Sequence, residues 1–272
     1  MNVSTVRPFD ERRLVDRTRV RGHRGGVIPT HRALTKFALQ PLDLVMSVTL
    51  VVLFSLVWLI SLGWMCRFWR YLFAFGTNSL GLNLPIGLSG HQLTTYIHFI
   101  IPYPMVEDAA PDPGTWWTTT VIVLLLFGVS FLLPKKQVPL IYLLRLVLCI
   151  QASAQVYFAF AAARFPHTAD SYMEGLTRYG LFLISFVPIL FGLTYYIFDF
   201  GLVRKALLTF LTMSHLSLFV PFQVMLQAIL LRKSILFMPG LYIVFGLPID
   251  VLMLVCFYSW GMSWRSRTDR RA

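Results

Sequence analysis

The chain has 272 residues, 57% of them hydrophobic and 13% charged, with a mean hydropathy of +0.68. A soluble domain carries about 25% charged residues, so the composition excludes an ordinary soluble fold and places most of the chain in lipid. The formal net charge of +12 does not read as a nucleic-acid surface. Its lysines and arginines sit at the termini and between apolar segments, as the loops of membrane proteins are biased, and no nucleic-acid partner is expected.

Residues 1–40 are polar and basic, with Arg7, Arg12, Arg13, Arg17, Arg19, Arg21, Arg24, Arg32 and Lys36 opposed by Asp10, Glu11 and Asp16. They read as a cytoplasmic tail that fixes topology. They also offer a surface for anionic lipid headgroups, where each basic residue contributes about 1 kcal/mol. No apolar run there ends in a small-residue cleavage site, so the first span is expected to act as its own signal. The Arg21–Gly26 run lacks the Gly-Lys-Ser/Thr ending of a phosphate loop.

Hydropathy predicts six membrane-spanning helices, at about 42–66, 116–133, 138–163, 179–200, 206–231 and 235–264. They are joined by an outer loop at 67–115 and followed by a basic cytoplasmic tail at 265–272. Each is close to or above the roughly 20 apolar residues a bilayer crossing needs. The last carries a single charge, Asp250, and ends on Trp260 and Trp264 before Arg265, Arg267, Arg270 and Arg271. Assigning 17 basic residues to one side and 6 to the other puts both termini in the cytoplasm. The expected fold is therefore all-α, a six-helix polytopic membrane protein with one domain over 41–264.

Residues 71–106 contain no charge but are broken by Gly76, Asn78, Gly81, Asn83, Pro85, Gly87 and Gly90. They are expected to lie along the outer interface, the alternative being a re-entrant loop buried by protein. His91 and His98 stand there without a carboxylate or cysteine spaced to complete a metal site. Cys66, Cys149 and Cys256 lie in or beside apolar segments and read as small hydrophobes. No metal or cofactor is expected.

The candidate site is an intramembrane polar set. At about 1.5 Å per residue, Arg145 lies roughly 10 Å deep, His215 roughly 14 Å, and Asp250 about 15–20 Å. The expectation is a buried Arg145–Asp250 pair with His215 near it, and Asp199 as the other partner open to Arg145. A buried pair of this kind often does no more than fix helix register, but intramembrane ionisable groups also mark proton or substrate paths. Gln151 with Gln155, and Gln223 with Gln227, are i,i+4 pairs that either join the third and fifth helices or line a polar cavity. Pro188, Pro221, Pro239 and Pro248 each free a backbone carbonyl and permit a kink.

The sequence holds no Walker A run, no GxSxG, no HExxH and no dinucleotide fingerprint. The leading functional reading is a non-enzymatic bacterial inner-membrane subunit, partner to another membrane protein in an envelope assembly or export system. One alternative is a small secondary transporter working through Arg145 and Asp250. The other is an intramembrane enzyme on lipid-linked substrates, using Arg145, His215 and Asp250 with His167, Asp170 and Glu174.

Overall fold

The computed structural model describes residues 41–94, 97–134, 138–195 and 201–264. The two basic tails and Asp199 lie outside the described residues, as does the side chain of His98. In chain order the elements are α1 (Pro41–Ser79), β1 (Ile86–Thr94), β2 (Ile97–Pro104), α2 (Pro113–Val129), α3 (Val138–Ala161), α4 (Ala169–Thr194), α5 (Leu202–Leu231), α6 (Met238–Phe245) and α7 (Leu247–Ser263). Single 3₁₀ turns at Ala162–Arg164 and Ile235–Phe237 follow α3 and precede α6.

Five segments are long and apolar enough to cross a membrane: α1, α3, α4, α5, and α6 with α7 taken together. The chain is thus an α-helical polytopic membrane protein. The expected second span is shorter than hydropathy implied. As α2 it holds 17 residues, about 25 Å of helix against a hydrocarbon core of roughly 30 Å. Its start is fixed locally: Asp112 accepts from the Thr115 backbone N–H at 3.1 Å and Pro113 follows, a capped entry in which the missing proline donor costs nothing.

α1 departs furthest from expectation. It continues past Cys66 to Ser79, giving about 58 Å of helix, so tilt and a distal extension take up the excess over the membrane. (Distal denotes the side opposite the N-terminal tail.) The extension stays helical despite Gly76 and Asn78 because one face is gripped: Trp69, Phe73 and Thr77 are buried. A left-handed turn at Gly81 and Asn83 then reverses the chain. Arg232, just beyond α5, donates to the Leu82 carbonyl at 3.1 Å and ties that turn down.

The rest of the uncharged stretch, expected along the outer interface, folds into regular structure. It is an antiparallel hairpin, registered from Ile86 opposite Pro104 to Thr94 opposite Ile97, with an irregularity between Gln92 and Thr94. Within residues 99–104 burial does not alternate: Ile100 is exposed, while Ile101, Pro102, Tyr103 and Pro104 are all buried. Pro102 and Pro104 are tolerated because both strands of a two-stranded sheet are edges. The hairpin packs on α1, α4 and α5.

The centre of the bundle is α1, α4 and α5. Their close approach rests on glycine. A Cβ on Gly180 would come within 2.3 Å of Val220, and one on Gly192 within 2.1 Å of Val51. α2 and α3 form an outlying hairpin: α2 packs on α3, and α3 packs on α6 and the turn before it.

Candidate functional site

The last span is broken. Pro248 has no N–H, and the Ile249 N–H bonds to Gly246 O at 3.1 Å. The Phe245 carbonyl is thereby left out of the helical ladder. Gly246 is required at the break, because a Cβ there would sit 2.3 Å from the Tyr242 carbonyl oxygen. Inside a membrane an orphan carbonyl costs several kcal/mol, and a side chain answers it. Gln227 on α5 donates its Nε2 to Phe245 O at 2.5 Å, while its Oε1 accepts from the Tyr172 hydroxyl of α4 at 2.5 Å. Gln227 is fully buried.

The same solution recurs twice. Pro221 frees the Ser217 carbonyl on α5, and the Trp69 indole N–H of α1 bonds to it at 2.8 Å. Gln151 on α3 donates to Leu236 O at 3.0 Å, in the 3₁₀ turn that opens the broken span. Gln151 and Gln227 therefore do not join the third and fifth helices to each other. Each joins its own helix to the broken last span. Gln155 contributes its backbone carbonyl to the Trp116 indole at 3.1 Å, which holds α2 on α3.

Asp250 stands just past the break, in the first turn of α7. It is 2% exposed, and the polar side chain facing it is Gln223 of α5. Its Oδ1 and the Gln223 Nε2 each lack a hydrogen-bond partner.

The expected Arg145–Asp250 pair does not form among the described residues. Arg145 donates to the Ser130 hydroxyl at 3.1 Å and the Ser130 carbonyl at 3.3 Å, with its guanidinium 4.2 Å from the Phe131 ring centre. Depth was the wrong coordinate. α3 packs on α6, whereas α7, which carries Asp250, packs on α4 and α5, so the two residues do not share a neighbourhood. His215 is not beside Asp250 either. It lies eight residues from Gln223 along α5, about 12 Å, between the Phe219 and Phe257 rings, with its Nε2 buried and unpartnered.

A second polar group lies under the distal hairpin, where Asp170 and Glu174 of α4 meet it. The Ser89 hydroxyl donates to Glu174 Oε1 at 2.6 Å, His91 Nε2 lies 3.4 Å from the same oxygen, and the Tyr103 hydroxyl reaches Asp170 at 3.4 Å. Asp108 caps α4 by accepting from the Ala169 N–H at 2.6 Å. Burial raises the Tyr103 phenol pKa above its ordinary value, and the two neighbouring carboxylates add to the effect. His167 is elsewhere, lining an open groove of about 470 Å³ beside Tyr157, Phe158 and Pro239. The six residues proposed for an intramembrane enzyme are thus dispersed over several places. Among the described residues no three His, Cys, Asp or Glu side chains gather as a metal site.

Sequence reading missed Trp69, Tyr172 and Gly246, the residues that complete the joints. Pro221 points to the Ser217 carbonyl but not to the donor that answers it, and no proline stands four residues after Leu236 or Phe245 to point to their carbonyls. Lys205, just outside the expected fifth span at about 206–231, is buried at the start of α5, 5.9 Å from the Tyr195 ring.

Comparison with protein families, with curated proteins and with solved structures finds no match to this chain.

Proposed function

We propose that this chain is a non-enzymatic subunit of a membrane assembly, of the envelope-assembly or export kind, in a bacterial inner membrane. The observation that supports this reading most is what the intramembrane polar groups do. Gln151, Gln227 and Trp69 each splint a broken or kinked helix, and Arg145 ties down the end of α2. Polar groups spent on holding a fixed shape suit a scaffold whose product is a surface. The distal hairpin, raised on the extension of α1, is the surface to test.

The test is purification of the full chain in mild detergent with mass spectrometry of what accompanies it. The same is done for a variant whose residues 86–104 are replaced by a Gly-Ser linker. A stoichiometric protein partner, lost with the hairpin, is expected. A stable chain that purifies alone under every mild condition would overturn the subunit reading.

One observation favours a second reading, a carrier. Asp250 is an almost fully buried carboxyl with an unpartnered oxygen at a helix break, and broken spans are where transporters hold ions. In this reading Asp250 works with Gln223, without Arg145. Proteoliposomes loaded with a pH-sensitive dye decide it: proton flux that Asp250→Asn abolishes supports the carrier, and equal flux in both excludes it.

A further inference from the structure

We infer that the cleft between the distal part of α1 and the β-hairpin holds the phosphate of an anionic lipid headgroup. Gly63, Arg67 and Arg70 lie on one face of α1, at the i, i+4, i+7 spacing that aligns side chains along a helix. Leu88, Ile100 and Pro102 of the hairpin form the facing wall. The cleft measures about 250 Å³. That is below the roughly 300–1,000 Å³ of a site for a whole drug-sized ligand, and it suits a compact head whose chains stay in the bilayer.

Charge argues for the occupant. Residues 71–106 carry no acidic side chain, so the hairpin wall brings no carboxylate to the two arginines. Arg67 is held in place by its own helix, with Nε donating to Gly63 O at 3.3 Å and its guanidinium 4.1 Å from the Trp64 ring centre. Arg70 has neither a hydrogen bond nor an ion pair among the described residues. Two guanidinium forks one turn apart match the oxygens of a phosphodiester.

Location argues for lipid. The cleft opens where the apolar run 42–66 ends. Ile60, Trp64 and Tyr71 around it are exposed large side chains. Aromatic residues of that kind sit at headgroup level, with the aliphatic ones facing chains.

The test uses the full chain in detergent, titrated with phosphatidylglycerol or with phosphatidylcholine of the same chains, and native mass spectrometry to count retained lipid. Any anionic lipid held by the basic tails is common to every variant, so the readout is the difference between variants. Phosphatidylglycerol should be retained over phosphatidylcholine. Arg67→Gln and Arg70→Gln should each weaken that preference about fivefold, and together about 30-fold. The double change to Lys keeps both charges but loses the forks, and should fall between the intact chain and the double Gln variant. Leu88 is 49% exposed, so Leu88→Asp can be made without touching either arginine. It should abolish the preference, whereas Leu88→Asn should spare it, and this pair serves if the double Gln variant does not fold. Excess inorganic phosphate should leave the lipid bound. An undiminished preference in the double Gln variant or in Leu88→Asp overturns the assignment, and so does full displacement by phosphate, which would give the cleft to a free anion.

Discussion

α4–α5 and α2–α3 are both pairs of apolar helices, yet the two pairs are built for different surroundings. α4 and α5 cross with glycine against valine, bury Gln227 completely, and take a hydrogen bond from α1 at Ser217. α2 has two buried residues, Thr119 and Val123, and its polar ties are local: Trp116 to Gln155 O, and Ser130 to Arg145. The difference teaches that hydropathy reports contact with something apolar. It does not say whether that something is lipid or another helix. What separates the pairs is where backbone groups have been freed, because each freed group demands a donor from a neighbour.

The largest effect should come from the joint itself. Gln227→Leu strands both Phe245 O and the Tyr172 hydroxyl, and should cost about 2–4 kcal/mol in reversible unfolding from mild detergent into denaturing detergent. A loss below about 0.5 kcal/mol would mean the joint is not what holds α5 to the broken span.

The two glycines Gly180 and Gly128 sharpen the contrast. Gly180→Ala forces a methyl into Val220 and should destabilise by about 1–3 kcal/mol. Gly128→Ala in α2 has open space around the new Cβ and should be neutral or gain up to about 1 kcal/mol of helix propensity. Equal effects at the two sites would break the comparison.

A double-mutant cycle between Arg145→Gln and Asp250→Asn tests the placement of the polar groups. The coupling should stay within about 0.5 kcal/mol, as for residues without shared partners. A coupling of about 3–5 kcal/mol, the scale of a broken buried pair, would restore the ion pair.

The smallest effect concerns the entry of α2. The Thr115 hydroxyl and backbone N–H hold the Asp112 carboxyl below its usual range. A lowered folded value means the cap is fully present above the ordinary carboxylate range and is lost as pH falls through the folded value. The protection factor of the Thr115 amide, its exchange corrected for the intrinsic pH dependence, should therefore fall in acid in the native protein. Asp112→Asn, which caps without titrating, should remove that acid dependence; if it does not, Asp112 is not the group responsible.

Much of this was legible in the residues. The apolar runs give the spans because a helix is the single-segment way to satisfy a backbone in lipid, and Pro221 and Pro248 announce carbonyls that need donors. The hairpin was harder to see. Its glycines and prolines read as breakers, and only its placement against α1, α4 and α5 shows that residues 101–104 are all buried. Arg145 and Asp250 were matched on depth, a quantity that counting along a helix supplies. The angle around the bundle axis is not in the count.

The sequence by itself determined that this is a membrane protein, where its apolar segments run, and that the Ser217 carbonyl, four residues before Pro221, would need an outside donor. Those properties follow from transfer free energy and backbone valence, which act residue by residue. The tertiary structure decided that Trp69 answers that carbonyl, that Phe245 O is freed and Gln227 answers it, that Asp250 faces Gln223, and that two arginines share a cleft with an uncharged hairpin. Each is a contact between segments far apart in the chain, fixed by how the helices pack around one another.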